Sequence, residues 1–317
     1  MYNQAGALVH IYKDGSVQVN HGGTEMGQGI HTNIRTITCQ ELGLPSDQVR
    51  VMTTATDKVP NTSATAASSG TDLNGAAVKN ALETLKGRLR IVAAGLLQKA
   101  DPEKIEFKDG KVGYGSGWLE FTKVAEVAIA QRISLSSTGY YRTPDIHWDR
   151  VKGFGKPFYY FAVGAAVSEV EVDGFTGETR VRRVDILHDV GQSINEGINR
   201  GQIEGGFVQG MGWLTTEELV WSGEGRLLTH SPDTYKIPAI GDVPKDFRVK
   251  FYDGPTGPTK AVKGSKAVGE PPLMLAISVR EGIKDAVAAF GGEGPVELAV
   301  PSTGEAVFLA IRKRIAA

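Results

Sequence analysis

The stretch Ala5-Gly6-Ala7-Leu8-Val9-His10-Ile11-Tyr12-Lys13-Asp14-Gly15-Ser16-Val17-Gln18-Val19-Asn20 holds two alternating apolar runs around an Asp-Gly pair. Asp-Gly tolerates the positive φ of a tight turn, so the stretch predicts an antiparallel hairpin. The same signal returns at Asp109-Gly110, within Ile105 to Tyr114, and at Asp173-Gly174, within the long ribbon from Ala162 to Asp189. Between these hairpins lie runs with helical spacing. They are Gln28 to Leu42, Asp72 to Leu97, Val124 to Gln131, Gly201 to Leu219, Leu273 to Phe290 and Glu305 to Ile315. Val49 to Thr54 predicts a short strand, and Asp57 to Ser69 a polar loop. Hairpins make antiparallel pairs, so the pattern favours an α+β fold, with layered hairpin sheets packed with helices, over a doubly wound parallel sheet. The irregular stretch between Tyr141 and Tyr160, with Pro144, Gly153, Gly155 and Pro157, is the expected boundary between two sub-domains, 1–140 and 141–317.

The chain has 317 residues, 41% of them hydrophobic, enough for a sizeable core. With 35 Lys plus Arg against 36 Asp plus Glu, the net charge of −1 offers no bulk attraction for nucleic acid or an anionic membrane. One cysteine, Cys39, cannot build a disulfide framework, a Cys-cluster zinc site or an iron–sulfur centre on this chain alone. No apolar run reaches the length of a membrane span and no basic-then-apolar leader opens the sequence, so the cytoplasm is the expected compartment. None of the six histidines has zinc-ligand spacing, and there is no Gly-x-Ser-x-Gly nucleophile elbow.

Three stretches could carry chemistry. Gly22-Gly23-Thr24-Glu25-Met26-Gly27-Gln28-Gly29 joins a strand to a helix, where glycines let backbone N–H groups approach an anion and Gln28 adds a side-chain amide; a plain tight turn is the other reading. Pro60 to Ser69, rich in small hydroxyl residues, also runs into a helix start and could cap it or hold a phosphate. In Lys266-Ala267-Val268-Gly269-Glu270-Pro271-Pro272 a stiff backbone sets one carboxylate beside an apolar helix, where burial would raise its pKa toward that of a general base. The alternative is an acidic residue favoured by a helix dipole. The predicted helix at 201–219 carries Gly201, Gly205, Gly206, Gly210 and Gly212, and that many helix-weakening residues imply close approach of another backbone or a ligand.

Together these stretches resemble the C-terminal half of the molybdenum-binding domain of the xanthine dehydrogenase family, the molybdenum hydroxylases. The resemblance is carried by Asn3 to Leu8, His21 to Gly29 with His31-Thr32, Val59 to Ser69, Gly201 to Gly210, Thr234 to Pro238 and Lys266 to Leu273, in the family's order along almost the whole chain. It implies that Gly27, Gln28 and Gly29 hold the molybdopterin cofactor, and that Thr65, Ala67 and Ser68 cradle the pterin and its phosphate. It further implies that Ala67 lies near the molybdenum without a ligand bond to it, that Gln202 contacts the pterin, and that Glu270 is the catalytic base. Gly-Glu-Pro-Pro resembles xanthine dehydrogenases rather than animal aldehyde oxidases, which tilts the implied substrate toward purines. Gly70 departs from the animal enzymes, which carry a pterin-loop serine there.

The implied function is that of a bacterial-type xanthine dehydrogenase of purine catabolism, oxidising hypoxanthine and xanthine to urate with water as the oxygen source. The iron–sulfur clusters and FAD that drain the electrons are expected on other domains or chains, since one cysteine cannot hold the clusters. Nothing in the chain matches the family's earlier half of the molybdenum domain, so that half and the iron–sulfur and FAD parts are the expected partners, in a homo- or hetero-oligomer, and the chain alone is expected to be inactive. The alternatives are a molybdenum hydroxylase acting on aldehydes or N-heterocycles, and a non-catalytic fragment that only holds cofactor.

Overall fold

A computed structural model describes residues 3–59, 61–98, 101–254 and 260–316; Pro60, at the head of the expected loop, lies outside them. The chain divides into two compact units. The first comprises Met1–Phe161, Gly191–Glu196 and Gly257–Lys266, and the second Ala162–Val190, Gly197–Thr256 and Ala267–Ala317.

In the first unit, β1 (Gln4–Ile11) and β2 (Val17–His21) form the hairpin the opening stretch predicts, with Ile11 opposite Val17. Helix α1 (Ile30–Leu42) then crosses to β3 (Val49–Val51), which lies parallel to β2. Helix α2 (Gly70–Leu96) covers the sheet, burying Leu73, Ala77, Val78, Ala81, Leu82, Leu85 and Leu89 at helical spacing. A small meander follows, β4 (Glu106–Lys108), β5 (Lys111–Tyr114) and β6 (Gly117–Glu120), then α3 (Phe121–Ala130). Strand β7 (Ser136–Arg142) returns to β1 and completes a four-stranded sheet in the order β3-β2-β1-β7. The boundary expected at 140/141 falls inside β7, and the change of unit comes at Phe161/Ala162. The ladder with β1 carries β7 through Arg142, and the prolines and glycines that made the stretch look irregular lie beyond it, where a separate hairpin, β8 (His147–Asp149) and β9 (Phe154–Lys156), forms.

The second unit repeats the opening topology. β10 (Gly164–Val172) and β11 (Thr179–His188) form an antiparallel ribbon, α4 (Glu196–Thr215) crosses over, and β12 (Asp246–Phe251) lies parallel to β11. Helix α5 (Ile277–Ala288) packs on β10, and α6 (Gly304–Ala316) on α5. Val184, Ile186, Ile203, Phe207, Val279, Ile283 and Val307 fill its core. The expected helix from Leu273 to Phe290 is split: Pro271–Ala276 form a 3₁₀ stretch, and α5 starts only at Ile277. Prolines lack the N–H an α-turn needs, so Pro271-Pro272 delay the α-helix. The result is an α+β fold of hairpin sheets packed with helices. Among the described residues no helix is long and apolar enough to cross a membrane.

A buried ion cluster ties the returning segment to the first unit. Glu41 of α1 meets Lys86 of α2 at 2.8 Å and Lys263 at 2.6 Å, and Lys86 also reaches Glu83 at 2.8 Å. Lys86→Met leaves Glu41 paired with Lys263, so it should cost about 1–3 kcal/mol in denaturant unfolding, less than stranding a buried charge would. This bridge holds the backbone just before the chain passes into the second unit and on to Glu270.

Candidate cofactor loops and catalytic turn

The loop after β2 is shaped by its own side chains. The Gly27 and Gly29 N–H groups donate to Glu25 Oε1 at 3.0 and 2.9 Å, and the His31 N–H donates to Oε2 at 3.1 Å. Partial burial pulls the Glu25 carboxyl up, but the His31, Gly29 and Gly27 amides and the His31 ring outweigh it and hold it below the usual carboxylate range. Gln28 Oε1 accepts from the Met26 N–H at 2.6 Å, and Nε2 donates to the Thr24 carbonyl at 2.8 Å. The chain can turn this tightly because Gly27 and Gly29 take φ of 98° and 77°, a region closed to most L-residues.

Two observations join this loop to the 61–69 loop. The Thr24 N–H donates to Thr65 Oγ1 at 2.9 Å. A Cβ on Gly22 would stand 2.1 Å from Thr62 Oγ1, so glycine leaves the room that the Thr62 side chain takes up there. The 61–63 segment is in turn pinned to β1: Ser63 Oγ accepts from the Gln4 N–H at 3.1 Å and Thr62 Oγ1 from the Gly6 N–H at 3.3 Å. Ala67 and Ser68 follow with φ of 54° and 51°. Consecutive left-handed non-glycine residues cost of order 1–3 kcal/mol each, and such strain gathers at ligand-binding turns. At Gly70, the first residue of α2, a Cβ would stand 3.1 Å from Ile30 Cδ1, so a serine here would press on α1.

Beneath the loops lie two titratable groups that the sequence reading passed over. Buried His21 accepts the Gly23 N–H on Nδ1 at 3.1 Å, which leaves Nε2–H to face His31 Nδ1 at 2.9 Å. Burial first, then the His31 ring, push the His21 pKa down to about 4. Asp72, in the first turn of α2, accepts the Tyr160 hydroxyl and a Ser265 hydrogen bond, yet burial of the carboxyl pushes its pKa up to about 7. The only sequence signal for Asp72 was an acidic residue in a helix's first turn, which ordinarily stays charged.

These shifts act oppositely on stability. The folded chain holds the Asp72 proton more tightly than the unfolded chain does. That contribution is therefore full below about pH 4 and lost as pH rises through about 7, with a ceiling of about 4 kcal/mol. His21 binds its proton less tightly when folded, so its contribution is full above about pH 6.5 and lost as pH falls toward 4. Asp72→Asn keeps an acceptor for Tyr160 and removes the charge. It should raise the melting temperature at pH 8 and leave it unchanged near pH 4. A difference that does not vary with pH would exclude the raised pKa.

In the second unit, the glycines of α4 sort into two faces. A Cβ on Gly206 would stand 3.0 Å from the Gly269 carbonyl oxygen, and one on Gly210 would stand 2.2 Å from that of Leu273 and 2.9 Å from Ala276 Cβ. These glycines form the bed on which the Glu270 turn lies. Gly201 and Gly205 have nothing within 4 Å of a Cβ, so the flank beside the half-buried Gln202 is open. The close approach expected of this helix is thus a backbone at one face and open space at another. The turn closes through the Leu273 N–H, which donates to the Glu270 carbonyl at 3.0 Å. The Glu270 residue is exposed in this chain, against the burial the sequence reading expected. Pro272 and Ala276 point into the core instead and anchor the turn from below.

Gly27, Gln28, Gly29, Thr65, Ala67 and Ser68 therefore share one pair of touching loops in the first unit, while Gln202 and Glu270 share the α4 scaffold of the second. Among the described residues, no three or more His, Cys, Asp or Glu side chains converge as a metal site.

Residues 1–244 match the family described as molybdopterin cofactor-binding domain. The xanthine dehydrogenase/oxidase of Gallus gallus is 46% identical over 310 residues, covering 96% of this chain and 21% of that protein. Aldehyde oxidase 2 of Macaca fascicularis is 45% identical over 317 residues, covering 99% and 22%. The chain thus spans about a fifth of the length of these curated relatives. Among solved structures, quinoline 2-oxidoreductase from Pseudomonas putida 86 superposes with a TM-score of 0.84 at 28% identity, over 98% of this chain and 38% of that one. With the family model covering most of its length, the chain belongs to the molybdopterin cofactor-binding domain family.

Proposed function

We propose that this chain is the part of a xanthine dehydrogenase that holds the molybdenum cofactor and supplies the catalytic base, working in the cytoplasm in purine breakdown, to convert hypoxanthine and xanthine to urate. The observation that carries the reading is that the Gly269-Glu270-Pro271-Pro272 turn is seated on the glycine face of the helix that bears Gln202. One rigid element then fixes both a base and a cofactor-binding amide. A chain that only held cofactor has no need of a base so positioned.

The residues fit the group. A pterin needs side-chain amides and room for close approach. Gln28 keeps one N–H and one lone pair beyond its internal bonds, Gly27 has nothing within 4 Å of a Cβ, and Gly201 and Gly205 leave the surface beside Gln202 open. Gly27, Gln28, Gly29, Thr65, Ala67 and Ser68 of the first unit would hold it, with Ala67 near the metal, and Gln202 is the residue of the second unit that would contact the pterin. When bound, the cofactor accepts the two electrons released as water's oxygen is added to the ring carbon. Glu270 accepts the proton of the attacking water-derived hydroxyl, and this exposed residue sits on a turn closed by the Leu273 N–H and anchored by buried Pro272. The electrons leave through iron–sulfur clusters and FAD on other domains or subunits, and the earlier half of the molybdenum domain is a further partner.

Turnover of hypoxanthine and xanthine, against an aromatic aldehyde and a simple N-heterocycle, by the enzyme that contains this chain tests the substrate. Urate formation with little aldehyde oxidation is expected. The reverse preference would support the second reading, an aldehyde or N-heterocycle hydroxylase, which the aldehyde oxidase match over nearly the whole chain favours. Cofactor contacts are tested separately. Gln28→Ala and Gln202→Ala should each lower molybdenum or pterin content or alter the metal's spectroscopic signature, and full occupancy with an unchanged signature in both would remove those residues from the site.

A further inference from the structure

Glu25 makes three backbone hydrogen bonds with one carboxylate, gathering the N–H groups of Gly27, Gly29 and His31 at the mouth of α1. The loop it closes is otherwise poorly constrained, with two positive-φ glycines within three residues, and glycine loses more freedom on ordering than any other residue. Gln28 ties the other side of the same turn, through Thr24 and Met26. His31, whose amide Glu25 takes, is fixed to His21 at 2.9 Å, and His21 to the Gly23 N–H at 3.1 Å. The amides at the start of α1, which would otherwise attract an external anion, already hold an internal one.

We propose that Glu25 is the positioning residue of the cofactor loop, a built-in anion that fixes the Gly27, Gly29 and His31 amides before cofactor binds and directs an anionic ligand to the remaining donors of the loop. This rests on the reading of 27–29 as a cofactor loop. Charge-assisted bonds are shorter and stronger than neutral ones, so a neutral side chain cannot hold the three amides alike. Glu25→Gln presents only one accepting atom, and Glu25→Ala none.

In the enzyme containing this chain, Glu25→Gln and Glu25→Ala should lower molybdopterin occupancy by at least about tenfold, as expected for lost charge-assisted bonds. Acetate supplied during cofactor loading should restore Glu25→Ala, whose vacated site admits a carboxylate, and not Glu25→Gln. In the cofactor-free form of that enzyme, inorganic phosphate should raise the melting temperature of Glu25→Ala and leave the wild type unmoved. Equal phosphate responses overturn the internal-anion role. Wild-type occupancy in both Glu25 variants, while Gln28→Ala loses cofactor, overturns the positioning role and leaves the loop reading standing. Full occupancy in the Gln28 and Gln202 variants as well means the cofactor reading has failed, and the phosphate comparison then decides alone whether Glu25 holds the α1 amides.

Discussion

Glu270→Gln in the assembled enzyme slows reduction by substrate by about 10² to 10⁴, the usual contribution of a positioned general base, while molybdenum content stays near that of the wild type. The two effects separate because cofactor retention is assigned to other side chains: Gln28, Thr65 and Ser68 in the first unit, and Gln202 on α4, one turn before the Gly206 that meets Gly269. Gln at 270 matches Glu in shape, so the turn closed by the Leu273 N–H and anchored by buried Pro272 keeps its form. What is lost is the ability to take a proton. Anaerobic reduction of the enzyme by xanthine, followed optically, gives the rate, and elemental analysis of the same sample gives the metal. A variant with full metal and near-wild-type reduction would leave Glu270 without a catalytic role.

Much of the fold was legible because its signals are local. Asp14-Gly15, Asp109-Gly110 and Asp173-Gly174 each mark a hairpin, and the apolar spacing of α2 and α6 places both helices within two residues of their ends. What escaped depends on distant partners. β7 reads as a polar, tyrosine-rich segment until its seven-residue register with β1 is seen, and β12 is defined by a parallel ladder to a strand about sixty residues earlier. The 3₁₀ stretch at 271–276 has a local signal in Pro271-Pro272, but its seat against Gly206 and Gly210 of α4 is announced by no local pattern.

The site divides the same way. Gln28, the 61–69 loop and Glu270 stood out because glycine, proline and small hydroxyl residues cluster around them. Glu25 was quoted with its loop yet given no part, because a carboxylate that bonds every second amide ahead of it looks, in sequence, like one more polar residue. Its spacing to Gly27, Gly29 and His31 was the available signal, an acidic residue just before a helix start. Asp72 and His21 left only faint traces in the sequence, since the Asp72 shift comes from burial of its carboxyl in the fold and the His21 shift from burial and the His31 ring set against it.

Gly210→Ala should reproduce most of the Glu270 defect without touching a reacting atom. The added Cβ would stand 2.2 Å from the Leu273 carbonyl oxygen, and a backbone atom cannot rotate aside as a side chain would. Either α4 or the turn must shift by about 1 Å, and a displacement of that size at a catalytic group can cost about 10² in rate. Overpacking costs about 1–3 kcal/mol, partly offset by the gain of up to about 1 kcal/mol from replacing glycine in a helix. Gly87→Ala separates the two effects. It lies in α2 with nothing within 4 Å of a Cβ, so it should give the propensity gain and leave the rate unchanged. The decisive measurement is the double variant. If Gly210 acts through the placement of Glu270, then adding Gly210→Ala to Glu270→Gln costs little further rate, because the base whose position is disturbed is already gone. Multiplying losses would mean that Gly210 affects catalysis by another route, and the glycine bed of α4 would then be a packing feature with no hold on the catalytic turn.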